Sequence, residues 1–183
     1  MRLRNTTEYY GWVSIAVHWI AAVAIIGLFA LGLWMTGLSY AHPWYNRAPD
    51  IHQSVGVLLI ALIAFRLVWR WTNATPALEP DMPAWEVLAA RGAHWAMYAL
   101  IVVVLLSGYL IPTADGSWIS VFGWFSTPPV VLGIDRQEDW AGWVHYWGAW
   151  ALIGLAAVHT LAALKHHFIE RDRTLRKMLG IRS

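Results

Sequence analysis

Long uninterrupted runs of apolar residues alternate with short polar segments along this chain. Four of the runs reach the roughly 20 residues that an α-helix needs to cross the hydrocarbon core of a bilayer. They cover about residues 14–38, 51–69, 92–114 and 140–167. A loop at 115–139 separates the last two runs, and a basic tail follows at 168–183. The pattern predicts an all-α integral membrane four-helix bundle that forms one membrane domain.

Composition agrees with a membrane protein. The 183 residues are 58% hydrophobic and 13% charged, whereas soluble domains carry about 25% charged residues. The chain contains no Cys, which excludes disulfides, covalently attached c-type haem and cysteine-ligated iron–sulfur clusters. Any metal centre must therefore use His, carboxylate or Met ligands. We find no Gly-rich phosphate loop, and we expect no nucleic-acid partner.

Basic residues are unequally divided between the two ends of the predicted helices, and cytoplasmic ends normally carry the excess of Lys and Arg. Eleven of the 13 lie at one end: Arg2, Arg4, Arg66, Arg70, Arg91, Lys165, Arg171, Arg173, Arg176, Lys177 and Arg182. The other end has Arg47 and Arg136 against five acids, Asp50, Asp115, Asp135, Glu138 and Asp139, a net charge of −3. This asymmetry predicts cytoplasmic termini and an acidic outer face.

Four histidines lie inside the apolar runs, where ionisable side chains are rare and usually functional. If both termini are cytoplasmic, the second and fourth helices run from the outer face to the inner face. His52 and His145, near the starts of these two helices, then lie in the outer half of the membrane. His18 and His159 lie in the inner half. His159 follows His145 by 14 residues, which is roughly 21 Å along a helix and about 40° around it. The last helix therefore presents one imidazole at each of two depths.

Two imidazoles that face each other across a helical bundle suit the axial positions of a b-type haem. The depths pair His52 with His145 at the outer level and His18 with His159 at the inner level. His94 opens the third helix at the inner level and could replace His18 as the partner of His159. Spacing alone leaves both inner pairs open. The pattern predicts two haems b and electron transfer through the membrane.

Further polar groups lie at the inner level. Arg66 follows His52 by 14 residues, and it could pair with a haem propionate or extend its charge to the interface as a helix-end arginine. His166 follows His159 by seven residues, roughly 10 Å nearer the cytoplasm. With His94, it could hydrogen-bond a quinone carbonyl. Both side chains could equally be ordinary solvated groups at the interface.

Short motifs surround these histidines. They are Tyr10 with Val17-His18-Trp19, Ile51-His52 with Gly56, Arg66 and Arg70, Gly92-Ala93-His94, Trp143-Val144-His145, Ala157-Val158-His159 and His166-His167. With this set, the chain resembles the bacterial diheme cytochrome b-561 family, including its superoxide oxidase members. The resemblance covers nearly the whole chain, with the outer loop and the basic tail. It implies a multi-pass protein of the bacterial inner membrane.

The resemblance also implies cofactors and their ligands. It assigns two haems b to four axial ligands, with His18 and His159 on one iron and His52 and His145 on the other. It implies a ubiquinone near the inner surface, contacted by His94, His166 and the segment 84–88, which includes Trp85. In superoxide oxidase members, superoxide gives its electron at the outer face and the haems pass it to quinone. No other catalytic residue is predicted.

Three functions are compatible with the sequence. The first is transfer of electrons from superoxide to ubiquinone, although an acidic outer face would repel an anionic substrate. The second is a cytochrome b electron-relay subunit or anchor for a partner dehydrogenase or soluble cytochrome. An exposed aromatic surface around Trp118, Phe122, Trp124 and Phe125 would favour it. The third is a non-redox bundle or His-lined metal carrier, which the lack of carboxylates in the four predicted spans disfavours.

Overall fold

The computed structural model describes residues 2–80 and 82–181, so Arg182 lies outside the described residues. The elements are α1 (Trp12–Met35), α2 (Arg47–Thr72), α3 (Ala84–Leu110), β1 (Ile119–Val121), β2 (Phe125–Thr127), α4 (Gln137–Lys165), a π-helical turn (His166–Glu170) and α5 (Thr174–Met178). Helices α1 to α4 are each long and apolar enough to cross a membrane, with the π-helical turn extending the fourth span. The predicted all-α membrane four-helix architecture is confirmed.

All four long helices begin earlier than the apolar pattern predicts, α1 at Trp12 by two residues and the other three by more. Helix α2 begins at Arg47, α3 at Ala84 and α4 at Gln137. The first turns of these three helices contain acidic residues, Asp50 in α2, Glu86 in α3 and Glu138 and Asp139 in α4, so the apolar run is interrupted there although the backbone is helical. Helix α3 starts directly after Pro83, whose carbonyl accepts the backbone N–H of Glu86 at 3.0 Å. A proline fixes φ near helical values and donates no N–H, which suits a helix start.

The described residues divide into two compact units, and each long helix contributes one part to each unit. We call the first the terminal unit, because it includes both ends of the described chain. It is formed from the described residues of Met1–Ala21, Leu62–Ala99 and Leu152–Ser183. The second, which we call the hairpin unit, is formed from Ala22–Ala61 and Leu100–Ala151.

The hairpin unit is named for its two antiparallel strands, which lie within the predicted outer loop. Val121 of β1 pairs with Phe125 of β2. The turn between them contains Phe122 at φ 50° and Gly123 at φ 72°, and such left-handed residues match the twist of a tight hairpin. Ser54 of α2 accepts the backbone N–H of Phe122 at 3.1 Å and donates to the Ser120 carbonyl at 3.3 Å. The hairpin is therefore fixed to a membrane helix.

Gln137, at the first position of α4, joins the same loop to α3. Its amide nitrogen donates to the carbonyls of Leu110 at 3.0 Å and Val130 at 2.9 Å. Its amide oxygen accepts the backbone N–H of Leu132 at 2.7 Å. The side chain is buried, and its bonds pair three backbone groups, one at the end of α3 and two in the loop before α4.

The terminal unit includes the basic tail, which the structure resolves into α5. Lys177 is buried, at 8% exposure, and its ammonium group lies 2.7 Å from Glu79 Oε1. It also donates to the Ala77 carbonyl at 2.9 Å. Trp19 of α1 donates its indole N–H to the Met178 carbonyl at 2.9 Å. The tail is therefore docked on the helical part of its unit by specific polar contacts.

Candidate haem sites

In the hairpin unit, His52 of α2 and His145 of α4 face each other. Their ring centroids lie 6.0 Å apart, with an angle of 76° between the ring planes. A metal–imidazole bond is about 2 Å long, and the ligating nitrogen lies about 1 Å from the ring centroid, so two imidazoles on one metal have centroids about 6 Å apart. The observed separation therefore fits axial ligation of a single iron.

Hydrogen bonding prepares His145 for ligation. Its Nδ1 lies 2.8 Å from the Val104 carbonyl oxygen of α3. A carbonyl only accepts hydrogen bonds, so Nδ1 carries the proton and Nε2 of the neutral ring keeps its lone pair for a metal. His52 Nδ1 is buried and has no hydrogen-bond partner among residues 2–80 and 82–181. Buried nitrogens normally find a partner, so this atom is a second sign of a ligand site.

Two glycines allow the backbone to approach these imidazoles closely. A Cβ built on Gly108 would lie 2.7 Å from His145 Cε1, and one on Gly32 would lie 3.3 Å from His52 Cε1. By contrast, a Cβ on Gly56 or Gly142 would have no described atom within 4 Å. Gly32 and Gly108 lie on other helices than the histidines they approach, so the residues that flank His52 and His145 in the chain give no sign of them.

The terminal unit brings together three imidazoles. The rings of His94 on α3 and His159 on α4 have centroids 5.4 Å apart, with an interplanar angle of 64°. His18 on α1 lies within electrostatic range of both. This set contains one more imidazole than the two axial positions of an iron can use. The ring that contacts His159 is that of His94. The pairing of His18 with His159 on one iron stays a prediction.

Arg66 of α2 lies against this group. Its Nη2 donates to His18 Nδ1 at 3.0 Å, and its Nε donates to the Tyr98 hydroxyl at 3.1 Å. Its Nη1 is buried and has no hydrogen-bond partner within the described part of the chain. A buried guanidinium N–H without an acceptor suits a carboxylate such as a haem propionate. The residues of the terminal unit therefore also fit a haem.

The other residues predicted to contact a quinone lie around the start of α3 and the end of α4. Trp85 is 66% exposed, and the Lys165 ammonium lies 6.0 Å from the centroid of its ring. His166 contacts carboxylates of its own turn and of the segment after it, whereas His94 contacts His159. The structure therefore brings Trp85 to the end of α4 and gives His94 and His166 different neighbours.

A family model for prokaryotic cytochrome b561 matches residues 9–180. The chain belongs to the prokaryotic cytochrome b561 family. It is 47% identical over 180 residues to cytochrome b561 homolog 2 of Escherichia coli, covering 98% of this chain and 96% of that protein. It is 28% identical over 182 residues to cytochrome b561 homolog 1 of the same species, covering 97% of each.

A further relative of this cytochrome b561 family member is the Yersinia pestis protein named probable superoxide oxidase CybB. The identity is 27% over 174 residues, covering 93% of this chain and 95% of that protein. Membership of the family confirms a multi-pass protein of the bacterial inner membrane that binds haem b and transfers electrons. The predicted family resemblance is confirmed as well.

Proposed function

We propose that the protein binds two haems b and transfers electrons from superoxide at the outer face of the membrane to ubiquinone at the inner face. The observation that carries this proposal is the presence of an imidazole cluster in each compact unit, with a pair in one and a trio in the other. One cluster would suffice for a single haem. Two clusters suit a path that crosses the membrane.

In this proposal His52 and His145 hold one haem, and His18 and His159 hold the other. His18 would have to give up its contact with Arg66, because a neutral imidazole that accepts on Nδ1 carries its proton on Nε2 and has no lone pair left for iron. Haem iron alternates between two oxidation states, so each bound group supplies one-electron transfer. His145 is kept in its ligating tautomer by the Val104 carbonyl. Arg66 supplies positive charge beside the terminal-unit ligands and an unpaired N–H for a propionate. With two imidazole ligands supplied by the protein, the bound iron would have little tendency to bind oxygen, the product of superoxide oxidation.

At the inner face, we assign ubiquinone to the region of Trp85, His94 and His166. Three imidazoles in the terminal unit leave one free once an iron has taken two, and a free imidazole can donate to a quinone carbonyl. Trp85 offers an exposed aromatic face, against which a quinone ring can stack. The name of the Yersinia pestis relative supports superoxide as the donor.

Stopped-flow spectroscopy tests both ends of this path. The oxidised protein, with a haem-to-protein ratio near two by pyridine haemochrome assay, is mixed with superoxide and then with ubiquinone-1. We expect haem reduction faster than spontaneous dismutation allows, followed by reoxidation. No reduction above the dismutation background would exclude superoxide as donor, and a ratio near one would exclude two haems.

The salt dependence of the first step tests the charge of the outer face. Arg136 is paired with Asp139 at 2.6 Å, so one of the two outer cations is already neutralised. Repulsion of superoxide is screened by salt over about 8–10 Å, and we therefore expect a rate that stays flat or rises with salt. A steep fall would instead indicate a positive funnel around Arg47.

A second candidate function is electron relay for a partner protein at the outer face. The hairpin carries aromatic side chains that are largely exposed, with Trp118 at 63%, Trp124 at 73% and Phe125 at 47%. The surrounding outer face is acidic, so the partner it fits is a basic soluble cytochrome or a dehydrogenase with a basic surface. Changing Trp124 to Ala should slow reduction by such a partner several-fold and leave reduction by superoxide unchanged.

A further inference from the structure

Five ionisable side chains meet at the end of α4 in the terminal unit. They are Glu86, Lys165, His166, Glu170 and Asp172. Such groups are costly to bury unless they are paired or used. The haem ligands proposed above make none of these contacts. The cluster therefore calls for an explanation of its own.

His166 is at the centre of the cluster, and its two ring nitrogens face different sides. Nδ1 lies 2.5 Å from Glu170 Oε2 and 2.6 Å from Asp172 Oδ2. Nε2 lies 3.9 Å from Glu86 Oε2 on α3. An imidazole can accept a proton on one nitrogen and release one from the other. His166 is thus placed between two sets of carboxylates.

Exposure falls along the line through His166. The side chain of Glu170 is 32% exposed, that of His166 is 13% exposed, and that of Glu86 is 10% exposed. Glu86 Oε2, at the buried end, has no hydrogen-bond partner in the described ranges 2–80 and 82–181. This oxygen is buried, lies beside an imidazole nitrogen and accepts no hydrogen bond from the described residues. It is therefore suited to receive a proton.

The remaining groups of the cluster balance its charge. Lys165 Nζ lies 2.7 Å from Glu86 Oε1 and 2.6 Å from Glu170 Oε1, so it is a counter-ion to both carboxylates. Burial acts to raise the pKa of Asp172, but hydrogen bonds from Thr174 and His166 outweigh it and hold that pKa below its ordinary value. Asp172 therefore stays ionised and orients the imidazole.

We propose that Glu170, His166 and Glu86 form a proton-uptake path that supplies ubiquinone reduction at the inner face. The proposal rests on the proposed function, in which ubiquinone is the electron acceptor. Reduction of one ubiquinone to ubiquinol takes two electrons and two protons. Two superoxide anions supply the electrons and become two molecules of oxygen, and the protons enter from the cytoplasm along this path.

Each proton moves in three transfers. In its imidazolium form, His166 gives the Nε2 proton to Glu86 Oε2, after a closure of about 1 Å that brings the two atoms to hydrogen-bonding distance. Protonated Glu86 then gives that proton to a quinone oxygen. The neutral ring turns about its Cβ–Cγ bond, presents its bare nitrogen to Glu170, and takes a proton that this carboxyl has received from water.

The proposal is tested by comparing two oxidants of the dithionite-reduced holoprotein. Ubiquinone-1 needs protons to be reduced, whereas ferricyanide takes an electron alone. Glu86→Gln and His166→Ala should slow haem reoxidation by ubiquinone-1 about 100-fold or more and leave reoxidation by ferricyanide unchanged. Added imidazole should restore part of the rate in His166→Ala. Glu79→Gln is the matched control, because Glu79 is also a largely buried carboxylate paired with a lysine.

A second measurement does not depend on turnover. Infrared difference spectra between the reduced and oxidised protein in the presence of ubiquinone-1 should contain a carboxyl C=O band that disappears in Glu86→Gln and shifts in D₂O. If ubiquinone-1 reoxidised the haems of Glu86→Gln as fast as those of the wild-type protein, the path would be refuted. Equal slowing with both oxidants would mean a structural role for Glu86 and would also refute it. Wild-type protein reoxidised by ferricyanide but not by ubiquinone-1 would refute the proposed acceptor itself.

Discussion

In the hairpin unit, His52 and His145 face each other, and within the described chain they make no ion pair. In the terminal unit, three imidazoles share their surroundings with Arg66 and Tyr98. The first arrangement offers one pair of ligands whose separation of 6.0 Å fits an iron. The second offers a choice of pairs and a buried cation.

This difference indicates a division of tasks between the units. A site with only two imidazoles can hold a haem and do little else with its polar groups. A unit with a spare imidazole, an arginine and a carboxylate cluster can also bind a polar acceptor and handle protons. The proposed superoxide end is therefore chemically simple, and the proposed quinone end is not.

The largest expected effect comes from removing a ligand of the hairpin unit. His145→Ala or His52→Ala removes one of the two imidazoles that would hold this haem, and the other histidine of the unit, His42, makes its contacts with Trp34 and Trp44 instead. We expect the pyridine haemochrome assay to return about one haem per chain instead of about two. His42→Ala, in the loop between α1 and α2, should leave the ratio unchanged. A ratio near two in His145→Ala would remove His145 from the ligands.

Histidine-to-alanine substitutions in the terminal unit distinguish the two candidate ligand pairs, His18 with His159 and His94 with His159. If His18 and His159 are the ligands, His18→Ala loses the second haem and His94→Ala keeps it. The residual optical spectrum and the haem ratio of both variants give the answer. Loss of haem in His94→Ala with retention in His18→Ala would reverse the assignment and make His18 the spare imidazole.

A smaller effect is expected at Gly108. A Cβ there would lie 2.7 Å from His145 Cε1, and the ring cannot retreat without losing its bond to Val104. Gly108→Ala should destabilise the protein by about 1–3 kcal/mol, as overpacking does, and reduce haem content in the hairpin unit only. Gly27→Ala is the control, because a Cβ on this exposed helical glycine meets no described atom within 4 Å. Equal thermal denaturation midpoints would contradict the predicted clash.

The smallest effect concerns redox potential. Arg66→Gln removes a positive charge beside the terminal-unit ligands, which favours the oxidised iron because that state carries one more positive charge. We expect one of the two midpoint potentials to fall by about 50–100 mV, from a unit charge at roughly 8 Å and an effective dielectric constant of about 20. Potentiometric titration measures it, with Arg91→Gln as the control. A shift of both potentials would show that Arg66 is not specific to one unit.

Much of the fold was predictable because apolar runs and intramembrane histidines are local features of a sequence. The hairpin was missed because strands of three residues carry almost no pattern, and their turn depends on left-handed conformations at Phe122 and Gly123. The early start of α3 was missed because Glu86 and Arg91 interrupt the apolar run before Gly92. As a consequence, Glu86 was predicted to lie just before the helix, when it is a buried helical residue.

The candidate sites were predictable as far as residue type and depth could indicate them. Helical spacing identified the histidines that could meet, but it could not choose between His18 and His94, since both begin a helix at the same level. The glycines that contact ligands were missed for a related reason. Gly108 is on α3 and its imidazole is on α4, so no spacing within one helix connects them.

The bond between His145 and the Val104 carbonyl also has a consequence for how the protein acquires its cofactor. The bond fixes the rotation and tautomer of His145 as soon as α3 and α4 are in place, so the entropy of orienting that ring is lost during folding. His52 has no such tether on its Nδ1. We therefore expect an ordered insertion in the hairpin unit, in which the already oriented His145 would engage the haem before His52.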